Sequence, residues 1–155
     1  MIKKKKSELK TIGWREWVEL PLFDVSEIKV KVDSGARTSA LHVSHLKKSG
    51  RNVIFTIHPN QHDANPSIEV KAHVLEYRWV KSSNGSRDKR PVVRTKIKMG
   101  DEEFPIEITL VNRDMMGFRM LLGREAIRKR FLIDTGSSFL LKKRKKSKTR
   151  KVKKK

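Results

Sequence analysis

The chain has no cysteine. Disulfide frameworks, thiolate nucleophiles and cysteine-bound zinc are therefore excluded. Acids are scarce beside bases, with 17 Asp and Glu against 38 Lys and Arg and a formal net charge of +21. No apolar run reaches the roughly 18 residues that read as a bilayer-spanning helix. The basic start, Lys3 to Lys6, leads into Ser7-Glu8-Leu9-Lys10 and not into an apolar stretch. No secretory signal is expected, and a cytoplasmic location is the default. A Gly-rich loop ending in Gly-Lys-Ser/Thr is missing, as is a His-Glu-x-x-His helix, so neither nucleotide nor zinc has its usual motif.

What is present is unevenly placed. Lys3 to Lys6 carry four charges, and the segment from Lys142 to Lys155 carries eleven and no acid. The excess thus sits on the two ends. Residues 1–11 read as a disordered basic arm and residues 142–155 as a disordered Lys/Arg-rich tail. The tail offers nonspecific electrostatic contact to nucleic acid or a ribosome, with strong salt dependence. No aromatics interleave with its lysines, so base stacking is not expected. The remaining residues 12–141 suffice for one domain with a sizeable core, but not for two large lobes.

Within that domain the pattern is that of short strands. Ile28, Val30 and Val32 alternate with Lys29 and Lys31, the period of a half-buried strand. Ile12 to Phe23 reads as a first strand burying Trp14 and Trp17, limited by Pro21. Thr38 to Val43, Val53 to Ile57, Ile68 to Val80, Pro91 to Met99 and Phe104 to Val111 follow, with a bulge expected near His73 or Val74 where the apolar face shifts. Asn84-Gly85 between two such runs signals a hairpin. Glu125 to Phe131 fits a short helix of two turns, and Leu132 to Leu141 a final strand pair or bent strand. Several short strands, frequent turns and one late helix indicate an all-β, small closed barrel.

One strand ends in candidate chemistry. Asp33-Ser34-Gly35-Ala36 closes the Ile28–Val32 run, placing a carboxylate where the backbone turns. Gly35 can take positive φ, and Ser34 can donate to a carboxylate oxygen. Asp-Ser-Gly is also an ordinary turn, so the tripeptide alone decides nothing. The longer string Val32 to His42 does. Together with Gly13-Trp14-Arg15-Glu16-Trp17, Arg78 to Gly85, Ile106 to Arg113 and Phe118 to Arg124, it resembles the retropepsin-like aspartic peptidase family that carries the name ATP-dependent zinc protease. The resemblance covers about residues 12–141.

That resemblance implies a barrel of six to seven strands with a flap hairpin, and a homodimer in which each chain supplies one catalytic aspartate. It assigns Asp33, Ser34 and Gly35 to catalysis. It places Arg37, Thr38, Ser83, Asn84 and Gly85 against a peptide or protein substrate, with Ala36, Leu122, Gly123 and Arg124 supporting the site. Arg37, charged where simple retropepsins often carry an uncharged residue, would favour acidic peptides such as glutamate-rich tails. The zinc in the family's name has no diagnostic ligand spacing among His42, His45, His58, His62 and His73, so no metal and no cofactor are expected. Asp134-Thr135-Gly136-Ser137 repeats the turn wording, but too few residues follow it to supply a second Gly-Arg partner. The rival reading is a catalytically silent barrel held to RNA, a ribosome or another polyanion by its tail.

Overall fold

Alternating apolar residues force most of this chain into strands, and the strands close on themselves. The computed structural model describes residues 8–60, 67–81, 84–112 and 117–141. In order they form β1 (Lys10–Leu20), a 3-10 turn (Pro21–Phe23), β2 (Val25–Asp33), β3 (Ser39–Ser49), β4 (Asn52–Ile57), β5 (Ile68–His73), β6 (Glu76–Lys81), β7 (Arg87–Met99), β8 (Glu102–Asn112), β9 (Met120–Gly123), α1 (Arg124–Ile127) and β10 (Phe131–Ser138). Neighbours run β10-β1-β2-β9-β3-β8-β7-β6, and an added β1–β7 pairing joins the two sides. The six strands β1, β2, β9, β3, β8 and β7 thereby close a barrel, as the sequence predicts. Closure removes most of the open edge that a flat sheet would expose.

The interior is filled by every second residue. On β2, Ile28 and Val30 are fully buried while Lys29 and Lys31 point out. Leu41, Ile97, Ile108, Leu110, Met120 and Leu122 meet them from the other strands. One inward position on β1 is polar: Glu16 is fully buried. Its carboxylate accepts the N–H groups of Gly13 (2.7 Å), Leu140 (2.8 Å) and Leu141 (3.1 Å). The segment after β10 is thus strapped across β1, and Phe139 stacks on Trp17 at 5.7 Å. Gly13 has no room for a side chain, since a Cβ would lie 2.2 Å from the Ser137 carbonyl oxygen.

Several expectations need correction. Lys10 and Thr11 already pair with Phe131 and Leu132, so ordered structure begins inside the expected arm. The run Ile68 to Val80 is two strands and not one bulged strand. At Val74 and Leu75 the chain changes partners: Val74 N–H donates to Arg51 and Leu75 N–H to Val92. β5 then belongs to β4, and β6 to β7. The helix is one turn long, because Lys129 takes a left-handed conformation (φ 65°) and Phe131 turns into the core. The last segment is a single strand, β10, parallel to β1. The tail from Lys142 to Lys155 lies outside the described residues.

Candidate active site

β2 carries Asp33 to the rim of the barrel, in parallel register with Gly123 of β9. The turn that follows is closed by its own backbone. Gly35 N–H donates to Asp33 Oδ1 at 3.1 Å, and Ala36 N–H to the Asp33 carbonyl at 3.1 Å. The carboxylate is therefore oriented by the Gly35 amide and not by the Ser34 hydroxyl. Gly35 does not use positive φ; its lack of a side chain leaves the carboxylate free, since a Cβ would lie 3.4 Å from Oδ1. Ser34 and Gly35 are exposed and Asp33 is half-buried.

The string Leu122-Gly123-Arg124 holds this turn from behind. Leu122 is buried in the core. Gly123 N–H donates to Ser39 Oγ at 3.0 Å, and any side chain at Gly123 would collide with Thr38, whose carbonyl carbon would lie 2.6 Å from the Cβ. The carbonyls of Ala36 and Arg37 then accept the N–H groups of Arg124 (2.8 Å) and Glu125 (3.2 Å). These are helix-start donors that would otherwise lack partners. The Arg124 guanidinium closes the loop, donating to the carbonyls of Ser34 (3.4 Å) and Gly35 (3.3 Å). Ser39→Ala strands the buried Gly123 amide, and the expected loss is about 1–2 kcal/mol of unfolding free energy in a urea titration.

Beside the turn lies a cavity of about 290 Å³ lined by Arg37, Thr38, Arg78, Glu107, Glu125 and Arg130 among others. Arg37 is largely exposed, with Nε 3.9 Å from Glu125. Arg78 comes from β6 of the hairpin. It donates to Thr38 Oγ1 at 3.3 Å, and pairs with Glu107 at 3.4 Å and with Glu76. Its pKa is raised, chiefly by the hydrogen bond to Glu76, with burial opposing. Arg130 stacks on Phe104 at 4.1 Å. Sequence reasoning had not assigned Arg78, Glu107 or Arg130 to the site. Counting back from the Asn84-Gly85 hairpin gives Arg78 only its partner Arg90 on β7, and the contact with Thr38, 40 residues away, has no local signal.

At the hairpin tip Asn84 Oδ1 accepts from the N–H (3.1 Å) and hydroxyl (2.8 Å) of Ser86, and Gly85 needs its positive φ of 92°. Ser83 lies outside the described residues. The histidines are scattered. Ser44 Oγ bonds His58 Nε2 (2.7 Å) and His45 Nδ1 (3.0 Å), His42 is buried in β3, His73 is on β5, and His62 lies outside the described residues. Among the described residues no three His, Cys, Asp or Glu side chains gather as a metal set would.

Asp134 makes the same local bond as Asp33, from Gly136 N–H at 3.0 Å, but its other oxygen is taken by Ser137 Oγ at 2.8 Å. It sits on β10, across β1 from β2, and among the described residues no Gly-Arg string is in register with it. These two bonds, the hydroxyl first, hold its pKa below the usual carboxylate value. A depressed carboxylate stabilises the fold above its unfolded pKa and loses that share as pH falls through the folded value. Asp134→Asn is therefore expected to flatten the acid limb of a thermal-stability profile slightly and to leave pH 7 activity unchanged.

Comparison with known proteins gives a consistent picture. A family model described as RimB-like, retropepsin-like aspartic endopeptidase RimB, matches residues 11–144. Proteins named "Probable alpha-L-glutamate ligase" from Shewanella pealeana and Parasynechococcus marenigrum are each 42% identical over 134 residues, which is 84% of this chain. The chain spans only 29% of the length of either relative. The crystal structure of Lpg0085, a protein of unknown function from Legionella pneumophila, superposes with a TM-score of 0.71 at 25% identity, covering 86% of this chain and 98% of that one.

Proposed function

The chain belongs to the RimB-like family of retropepsin-like aspartic endopeptidases, and from that premise we propose that it hydrolyses acidic peptides as a homodimer, with one Asp33 from each subunit. The observation that carries this reading is the wiring of the Asp33 turn, whose carbonyls are gripped by Arg124 while its carboxylate stays at the rim. Such backing fixes the acid without using up its oxygens.

Peptide hydrolysis by this route needs two carboxylates around one water. One is ionised and takes the water's proton as the oxygen bonds to the carbonyl carbon. The other is protonated and donates to the carbonyl oxygen. The tetrahedral adduct collapses as the C–N bond breaks, the amine takes up a proton, and a new carboxyl group is left. Two like charges about 3 Å apart cannot both ionise, so the pair shares one proton and its two apparent pKa values belong to the dyad. Each chain brings one such backed turn, and the exposed Ser34 and Gly35 leave a face for the second subunit. A two-fold axis through the site satisfies both needs.

The acidic preference draws support from the cavity beside the turn. Arg37, Arg78 and Arg130 line it against Glu107 and Glu125. The relatives' printed name is that of a glutamate ligase, and a glutamate-bearing tail is a substrate that such cations suit. Incubation with a peptide ending in four glutamates in H2(18)O, read by mass spectrometry, should give fragments with one heavy oxygen in each new carboxyl, and a bell-shaped pH profile of kcat/KM. Intact peptide after prolonged incubation contradicts the proposal. Arg37→Met should raise KM about tenfold for acidic peptides and leave neutral peptides unchanged, a loss on the scale of one charge-assisted contact; equal effects on both would reject Arg37 as a substrate contact.

A further inference from the structure

Alternation gives the catalytic carboxylate a shared surface. On β2, Lys29, Lys31 and Asp33 point to one side while Ile28 and Val30 fill the barrel. Cross-strand register extends that side: Lys31 pairs with Arg15 of β1 and with Leu121 of β9, and Lys29 pairs with Trp17. Residues in register share a face. The floor leading to Asp33 is therefore Trp17 and Lys29, then Arg15, Lys31 and Leu121, then the acid itself.

Two of its three cations are already engaged. Lys29 Nζ lies over the rings of Trp17 (5.6 Å) and Phe118 (5.4 Å). Arg15 donates to Ser138 Oγ at 3.0 Å and stacks between Trp14 (4.7 Å) and Phe139 (4.9 Å). Lys31 is exposed, and among the described residues its ammonium has no carboxylate, hydroxyl or ring against it. The nearest acid on this side is Asp33 itself, about 7 Å along the strand, and the others do not quench it. Glu19 and Glu27 lie at the far end of β1 and β2 and have partners of their own, and Asp134, across β1, is held by Gly136 and Ser137.

From this placement we propose that Lys31 is the specificity-determining residue next to the catalytic acid, binding a carboxylate side chain within one or two residues of the bond to be cut. The assignment rests on the acidic-peptide reading above and deepens it. Residues two apart on a strand are about 7 Å apart, and an extended peptide advances about 3.4 Å per residue. The lysine amine thus reaches the side chains that flank a bond held at Asp33. Leu121 supplies the apolar wall for the stem of that side chain, and the fixed Arg15 behind adds positive potential without competing for the ligand.

The test is binding, separated from turnover. In Asp33→Asn protein, the affinity of a fluorescein-labelled octaglutamate is measured by anisotropy, with octaglutamine as the neutral probe and Lys47→Glu on β3 as a control of equal net charge. Adding Lys31→Glu should weaken octaglutamate at least tenfold, Lys31→Arg should restore it, and octaglutamine should stay within twofold. No loss with Lys31→Glu, the same loss with Lys47→Glu, or no octaglutamate binding by Asp33→Asn itself each overturns the assignment. Turnover by the unmodified chain reports separately on the hydrolase reading. Binding that depends on Lys31 without any cleavage keeps Lys31 as a carboxylate contact but overturns both the hydrolase reading and its role beside a scissile bond, and cleavage indifferent to Lys31 overturns the assignment alone. Unchanged thermal unfolding of Lys31→Glu excludes misfolding as the cause.

Discussion

Asp33→Asn is expected to lower kcat/KM on a glutamate-rich peptide by about three orders of magnitude, the scale of a lost general acid or base. The fold should survive. Asn keeps an oxygen for the Gly35 amide, and the carbonyls of Ser34 and Gly35 still accept from Arg124. The unfolding midpoint should therefore change by no more than about 0.5 kcal/mol in free energy, as for other substitutions that spare packing. A variant that keeps its turnover would remove Asp33 from the chemistry. A silent barrel held by its tail makes the opposite forecast: Asp33→Asn changes nothing, and deleting residues 142–155 abolishes association with polyanions.

Glu16→Ala should be a highly damaging loss of a polar side chain for the stability of the fold. It strands the amides of Gly13, Leu140 and Leu141 at once. An unpaired buried donor costs about 1–3 kcal/mol, and hydrogen bonds to charged groups are the stronger kind. Some of this is recovered, because Leu140 is exposed and water can reach its amide. A net loss of about 3 kcal/mol follows, or roughly 10 °C in Tm for a domain of this size. Glu16→Gln keeps one acceptor oxygen but turns an NH2 toward a donor, so it should fall between. Scanning calorimetry of the two variants orders them. If Glu16→Ala melts with the parent, the strap over β1 contributes nothing.

The strands and the acid turn were legible because both are local. Alternation marks β2 and β8, and Asp33-Ser34-Gly35 announces a turn at a strand end. Glu16 could not be read this way. Nothing in Gly13-Trp14-Arg15-Glu16-Trp17 says that its carboxylate points inward, because two of the three amides that satisfy it lie more than 120 residues along the chain. The break at Val74 was hidden for a similar reason. A bulge and a change of partner produce the same shift of face, and only the bonds to Arg51 and Val92 distinguish them. Lys31 was visible as an outward lysine, but its meaning needed the register with Arg15 and Leu121.

The central claim is that two copies of Asp33 meet over one water. Differently tagged parent and Asp33→Asn subunits are unfolded together, refolded at varied ratios and assayed on an acidic peptide. If each site needs an acid from both chains, activity falls as the square of the parent fraction, to about one quarter at an equal mixture. A straight-line fall, to about one half, would mean that each chain works alone and would contradict the shared site.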